Sequence, residues 1–259
     1  MSKDKRITLS VKNVSVGYKN TVVAKDINFE ISRGELMSII GINGVGKSTL
    51  LRTLANIHAK LAGSILINEE AIENYNAFEL STLVSVVLTE PIASKNLTVQ
   101  ELVALGRQPY TNWIGKLSRT DISKITEAIR LLELENLTHK KCYQLSDGQL
   151  QRVLIARAIA QDTSIILLDE PTTHLDLYHK VQLLKLLKFI AKQTNKAVLF
   201  TSHEIEMAIQ LCDKMLLLNP PKHYFGSPKK LIAAKAFEQL FPTEVVSFDA
   251  QTASFHIEK

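Results

Sequence analysis

GINGVGKST, residues Gly41 to Thr49, satisfies the pattern G-x-x-x-x-G-K-[ST] at each fixed position: Gly41, Gly46, Lys47 and Ser48. Immediately before it, ELMSII (Glu35–Ile40) is an apolar run suited to a buried strand, and LLRTLANI (Leu50–Ile57) after it opens a helix. Glycines at 41, 44 and 46 let amide N–H groups converge on phosphate oxygens at the positive end of that helix. Lys47 supplies a flexible cation for the terminal phosphates, and the Ser48 hydroxyl suits Mg²⁺. Strand, glycine-rich loop and helix together define a nucleotide-phosphate site rather than a bare turn.

Upstream, residues 7–40 alternate in the β manner through ITLSVKNVSV, DINFEIS and ELMSII, with turns expected at Gly17, Lys19-Asn20 and Arg33-Gly34. Downstream, a Leu50–His58 helix and a strand in AGSILINEEAI are expected. Helical periodicity then takes over between Ile92 and Thr163, in TVQELVALGR, TDISKITEAIRLLELENL and GQLQRVLIARAIAQ, with Thr98 and Thr120 as N-caps. SIILLDE (Ser164–Glu170) and AVLFTS (Ala197–Ser202) are further apolar strands. A helix over about Leu175–Thr194, with Leu177, Val181, Leu184 and Leu187 near helical spacing, separates them. Such alternation implies a mostly parallel sheet with ligands at its carboxyl edge. The tail from Pro220 holds a short helix, LIAAKAFEQLF, and two strands, VVSFD and ASFHI.

The chain has 259 residues, 46% apolar and 22% charged, the composition of one large globular domain. No apolar run approaches the ~18 residues a membrane span requires. MSKDKRITLSVKN holds no secretory signal, and Cys142 and Cys212 lack metal spacing, so a reducing cytoplasm is expected. The net charge of +5 is scattered apart from small clusters such as Lys3–Arg6, as on a solvated surface.

Asp169 and Glu170 close a strand expected beside the phosphate loop. There Asp169 can hold Mg²⁺ and Glu170 can polarise an attacking water; two acids before Pro171 could equally cap a helix. In LSDGQ (Leu145–Gln149), Ser146 and Gly148 open a helix and can offer donors to an anion, or serve only as a turn and cap. Tyr18 is an aromatic upstream of the loop that could stack on a base or simply occupy a turn. His203 follows a strand, where a structural role is equally open.

Taken together, GINGVGKST, LSDGQLQR, SIILLDEPTTHLD and TSH resemble the ATP-binding cassette (ABC) ATPases in order and spacing over about residues 7–220. The resemblance implies an α/β fold: a P-loop NTPase core with an antiparallel β subdomain (about 7–90 and 164–219), a helical insert (about 91–163) and a tail (220–259). It implies ATP and Mg²⁺ as ligands and a homodimer sharing each nucleotide. One copy would contribute Tyr18, Gly41, Asn43, Gly44, Val45, Gly46, Lys47, Ser48 and Thr49, and the other Ser146, Gly148 and Gln149. Glu170 and His203 become the catalytic pair, Ser48 and Asp169 metal residues, and Asp176 the signal across the dimer.

Two positions depart from the family pattern. Glu90 stands where a glutamine that meets Mg²⁺ is usual, and Asp147 where a glycine is usual. Asp147 is expected to point away from phosphate or cap its own helix. Thr49 to Leu145 is too short for the long coiled coil of DNA-maintenance members, and ribosome-acting members usually carry two cassettes. A transport role is therefore expected over one on nucleic acid. NLTVQELVALGRQPYTNW (Asn96–Trp113) looks like the corresponding segment in importers of iron–siderophore, haem and cobalamin. This implies docking on membrane permease subunits at the cytoplasmic face of the inner membrane, with an extracytoplasmic binding protein selecting the cargo.

Overall fold

The computed structural model describes residues 7–19, 21–90, 94–173, 175–241 and 244–257. The Lys3–Arg6 cluster, Asn20 of the first turn, Ile92 at the expected start of the insert and His174 of THLD lie outside the described residues.

The chain opens with β1 (Ile7–Tyr18) and β2 (Thr21–Ser32), an antiparallel pair. Gly17 lies inside β1 rather than in the turn, and glycine is required there since a Cβ would sit 2.0 Å from the Thr21 carbonyl oxygen across the hairpin. The next strand, β3 (Leu36–Ile40), leads into helix α1 (Lys47–Leu54). The helix ends four residues earlier than expected, where Asn56 takes a left-handed conformation. Strands β4 (Ala62–Ile67) and β5 (Glu70–Ala71) complete a four-stranded sheet in the order β2-β1-β4-β5.

Helix α2 (Ala77–Leu83) runs directly into β6 (Val84–Val87), a short strand absent from the sequence expectation. Then come α3 (Val99–Ala104), α4 (Arg119–Leu131) and α5 (Asp147–Ala160), which pack on one another. Thr98 caps α3 through a capping box with Glu101, as its spacing implies. At α4 the cap is Ser118 and not Thr120, since Asp121 stands three residues after Ser118 and closes the reciprocal box. The chain continues through β7 (Ile165–Leu168), α6 (Leu177–Thr194), β8 (Ala197–Ser202), α7 (Ile205–Leu211) and β9 (Lys214–Leu217). Helix α6 begins two residues later than expected because Asp176 is its N-cap, and Leu177, taken as part of the apolar stripe, is exposed. The tail forms β10 (Tyr224–Gly226), α8 (Pro228–Ala233) and a hairpin of β11 (Val246–Asp249) and β12 (Ser254–Ile257).

The central sheet has six strands in the order β10-β9-β3-β8-β7-β6; all but β10 run parallel. Every residue of β3, β7 and β8 is buried, which explains their mostly apolar character, broken only by Ser38 in β3 and by Thr201 and Ser202 at the end of β8. The sheet separates two cores. One gathers Met37, Ile39, Leu50 and Leu51 with the antiparallel sheet; the other gathers Ile40, Leu168 and Phe200 with α5 and α6. Each buried Leu or Ile is worth about 1.5–3 kcal/mol relative to exposure.

The string ELVALGRQPY is fixed from beneath. A Cβ on Gly106 would lie 2.2 Å from the Arg157 carbonyl oxygen, so only glycine lets this segment meet the α5 backbone. Buried Arg107 donates to Asp121 Oδ1 at 2.8 Å and to the Ala160 carbonyl at 2.7 Å, with Tyr110 stacked 3.9 Å from its guanidinium. Among the described residues no helix is long and apolar enough to cross a membrane.

Candidate functional site

The loop after β3 and the ends of β7 and β8 meet at the carboxyl edge of the sheet. Strand β8 lies between β3 and β7, and the acids that follow β7 reach the phosphate loop through their side chains, Asp169 meeting Ser48. Gly44 and Gly46 turn the loop with φ of +81° and +106°, in the left-handed region that glycine enters without strain. A Cβ on Gly41 would stand 2.7 Å from both the Leu218 carbonyl oxygen and Val45 Cγ1. The loop borders a cleft of about 490 Å³, lined by Tyr18, Val23, Asn43, Gly44, Gly46, Lys47, Ser48, Thr49 and Glu170.

Lys47 is buried, and its ammonium donates to the carbonyls of Gly41 (2.9 Å) and Ile42 (3.3 Å), with Glu170 Oε1 at 3.9 Å. Burial pushes its pKa below the usual lysine value, while Glu170 and Asp169 pull it back up.

Ser48 Oγ donates to Asp169 Oδ1 at 3.0 Å, and Thr201 Oγ1 donates to the same oxygen at 2.7 Å. Asp169 is 2% exposed, and its Oδ2 has no hydrogen-bond partner among the described residues. An orphaned buried carboxylate oxygen beside a serine hydroxyl is a hard-oxygen pair that fits Mg²⁺.

Glu170 follows in the left-handed region (φ 45°), with its amide donating to Thr201 Oγ1 at 2.8 Å. Its carboxylate accepts from Thr173 Oγ1 at 3.3 Å and lies 3.6 Å from His203 Nδ1. Thr201 was missed by the sequence reading. The available signal was a hydroxyl inside a fully buried strand, two residues before His203.

Tyr18 is half-exposed and accepts a hydrogen bond from Thr49 Oγ1 at 3.2 Å. Glu90 is paired with Arg52 on α1 at 2.5 Å, so its carboxylate is directed to that cation in this structure, not to Ser48 or Asp169.

Ser146, Gly148, Gln149 and Asp176 are not in this cleft. They line a second one of about 520 Å³, together with Asp147, Arg152 and His179. Ser146 caps α5: its Oγ accepts from the Gln149 amide at 3.3 Å, and the Gln149 side chain accepts from the Ser146 amide at 3.1 Å. Asp147, expected to cap the helix or turn away, is exposed in the first turn and lines the cleft; Ser146 took the cap because its hydroxyl is one residue nearer the N-terminus. Asp176 caps α6, and its carboxylate meets His179 Nδ1 at 2.8 Å; the His179 amide and ring hold it below the usual carboxylate range.

A parallel α/β sheet with a phosphate loop, a buried aspartate at its serine and a glutamate beside it defines a nucleotide triphosphatase. The ABC transporter family model matches residues 24–173, and this chain belongs to that family of ATP-hydrolysing transporter subunits. It is 35% identical to the iron(3+)-hydroxamate import ATP-binding protein FhuC of Bacillus subtilis, covering 82% of this chain and 78% of that one. It is 33% identical to the petrobactin import ATP-binding protein FpuD of Bacillus anthracis, over 91% and 87% of the two chains. Among solved structures, one is an inward-facing transporter described as of the metal-chelate ABC type. It matches with a TM-score of 0.79 at 30% identity, over 96% of this chain and 95% of that chain. The dimeric bacterial ABC cassette MJ0796 matches with a TM-score of 0.69 at 30% identity, over 81% and 93%.

Proposed function

We propose that this chain is the motor of an importer for an iron complex of the siderophore class, working as a pair of identical copies that share two ATP molecules. The observation that carries the pairing is the separation of the two clefts. Lys47, Ser48 and Glu170 line one, and Ser146, Gly148 and Gln149 line another, so groups from both reach one phosphate chain only when a second copy supplies the second set. A relative solved as a dimer supports this. The cargo class rests on the import proteins to which the chain is similar.

Within one copy, the loop amides and Lys47 hold the phosphates and Tyr18 offers its ring to the base. Ser48 and Asp169 would hold Mg²⁺, which when bound offsets phosphate charge. Glu170 orients and polarises the attacking water. His203, half-exposed with its Nδ1 3.6 Å from Glu170, meets the terminal phosphate. Asp176 carries the state of one site to the other. Glu90, paired with Arg52 here, would be a further carboxylate available to Mg²⁺ if that pair opened. Because ATP binds the closed pair better than the open one, it shifts that equilibrium, and hydrolysis restores it.

The chain docks on its permease at the cytoplasmic face of the inner membrane, peripherally, with an extracytoplasmic binding protein delivering cargo. Trp113 and Ile114, 94% and 69% exposed just past ELVALGRQPY, suit an apolar contact of that kind. The test is ATPase stimulation by the coexpressed permease in vesicles. Trp113→Asp should abolish stimulation while leaving basal hydrolysis intact; stimulation equal to the parent's would overturn the docking assignment. Uptake of ferric siderophores, with haem and cobalamin as competitors, tests the cargo.

A further inference from the structure

Behind the Tyr18 ring stands His58. The imidazole of His58 packs against Tyr18, with ring centroids 5.3 Å apart and planes at 72°, an edge-to-face geometry. The Tyr18 hydroxyl is held at its other end by Thr49 Oγ1 at 3.2 Å. The contacts come from α1 and from the loop that leaves it. Thr49 is in the first turn of α1, and His58 is in its exit loop, where its amide donates to the Arg52 carbonyl at 3.3 Å. Helix α1 also carries Lys47 and Ser48, the residues facing the phosphates.

We propose that His58 is a positioning residue for the purine base: it clamps Tyr18 in the orientation that sets the base at a fixed distance from the phosphate cradle. This rests on Tyr18 being the base platform. The physical reason is entropic and geometric. Tyr18 is 51% exposed, so without lateral support its ring would sample several rotamers, and a ligand would have to order it on binding. The hydroxyl bond fixes the tip of the ring but leaves rotation about the long axis; the imidazole removes that remaining freedom. Thr49 lies on α1 and His58 is tied back to it through the Arg52 carbonyl, so both supports of the platform are anchored to the helix that carries Lys47 and Ser48, and the base is set relative to the phosphate loop through that helix.

His58 acts through Tyr18 and touches no phosphate, so its removal should weaken nucleotides that carry a base and leave base-free ligands unaffected. Titration calorimetry of the full chain with ADP and with pyrophosphate separates the two. His58→Ala should weaken ADP about two- to tenfold, the range an edge-to-face aromatic pair supports, with pyrophosphate affinity unchanged. His58→Phe, which restores an aromatic edge, should recover ADP affinity. In a Tyr18→Ala background, His58→Ala should have no further effect, because the group it positions is gone. If Tyr18→Ala weakens ADP but His58→Ala does not, or weakens it equally in both backgrounds, the positioning role is overturned and the platform stands. If Tyr18→Ala leaves ADP affinity unchanged, the platform reading fails and the role of His58 falls with it.

Discussion

Thr201→Val removes one oxygen from the centre of the site and changes almost no volume. Thr201 is fully buried, and its hydroxyl is the joint between the two acids, donating to Asp169 Oδ1 at 2.7 Å and accepting from the Glu170 amide at 2.8 Å. A hydrogen bond to a charged group contributes about 1.5–3 kcal/mol, and an amide left without a partner costs about 1–3 kcal/mol. The two terms share an oxygen and overlap, so about 3 kcal/mol is the expected loss of stability. For a chain of this size that corresponds to a fall in melting temperature of roughly 6–12 °C. The catalytic effect should be larger than the stability loss suggests. Asp169 would keep only Ser48 as a partner, and the strained left-handed turn at Glu170 would lose its anchor. Misplacement of a catalytic group by about 1 Å can lower a rate on the order of a hundredfold. Thermal unfolding and steady-state ATP hydrolysis are the assays, with Thr201→Ser, which keeps the hydroxyl, as control. A valine variant with the parent's melting temperature and a kcat within about twofold of it would refute the role of this oxygen in holding the acids.

Gly106→Ala should destabilise the helices between β6 and β7, because the new Cβ would stand 2.2 Å from the Arg157 carbonyl and backbone must move; limited proteolysis would show earlier cleavage there than in the parent. Asp121 is held below the usual carboxylate range by the Ser118 hydroxyl, and further by the Ser118 amide and Arg107. A depressed native pKa contributes stability above the unfolded value of about 4, lost as pH falls through the native value. Urea unfolding of Asp121→Asn should therefore show a weaker dependence on pH than the parent below about pH 4; identical profiles would contradict the assignment. Burial pushes the Cys212 thiol up to about 12, so alkylation at pH 9 should be slow in the folded chain and fast in urea.

Much of the site was legible because its chemistry is local. Gly41 to Ser48 carry their conformation in their own side-chain requirements, and Asp169–Glu170 announce themselves as charges ending an apolar strand. Thr98 and Glu101 form a capping box readable from spacing alone. What escaped depends on partners distant in sequence. The placing of β8 between β3 and β7 is decided by sheet order, which no local period encodes. Thr201 and His58 matter only because the fold carries them to Asp169 and Tyr18. The pairing of Glu90 with Arg52 is likewise a contact between the α1 helix and a loop 38 residues on. Ser118 was passed over for Thr120 because both are hydroxyls, and only Asp121 three residues after Ser118 distinguishes them.

Sharing of the nucleotide by two copies is the claim on which the motor depends, and molar mass in solution tests it directly. Glu170→Gln, which retains the phosphate loop and Ser146 but loses the water-polarising carboxylate, should elute as a dimer with ATP and Mg²⁺ and as a monomer with ADP. Adding Ser146→Arg, which fills the second cleft, should return it to monomer. A Glu170→Gln chain that stays monomeric with saturating ATP and Mg²⁺, at high concentration and with its permease present, would contradict the shared site.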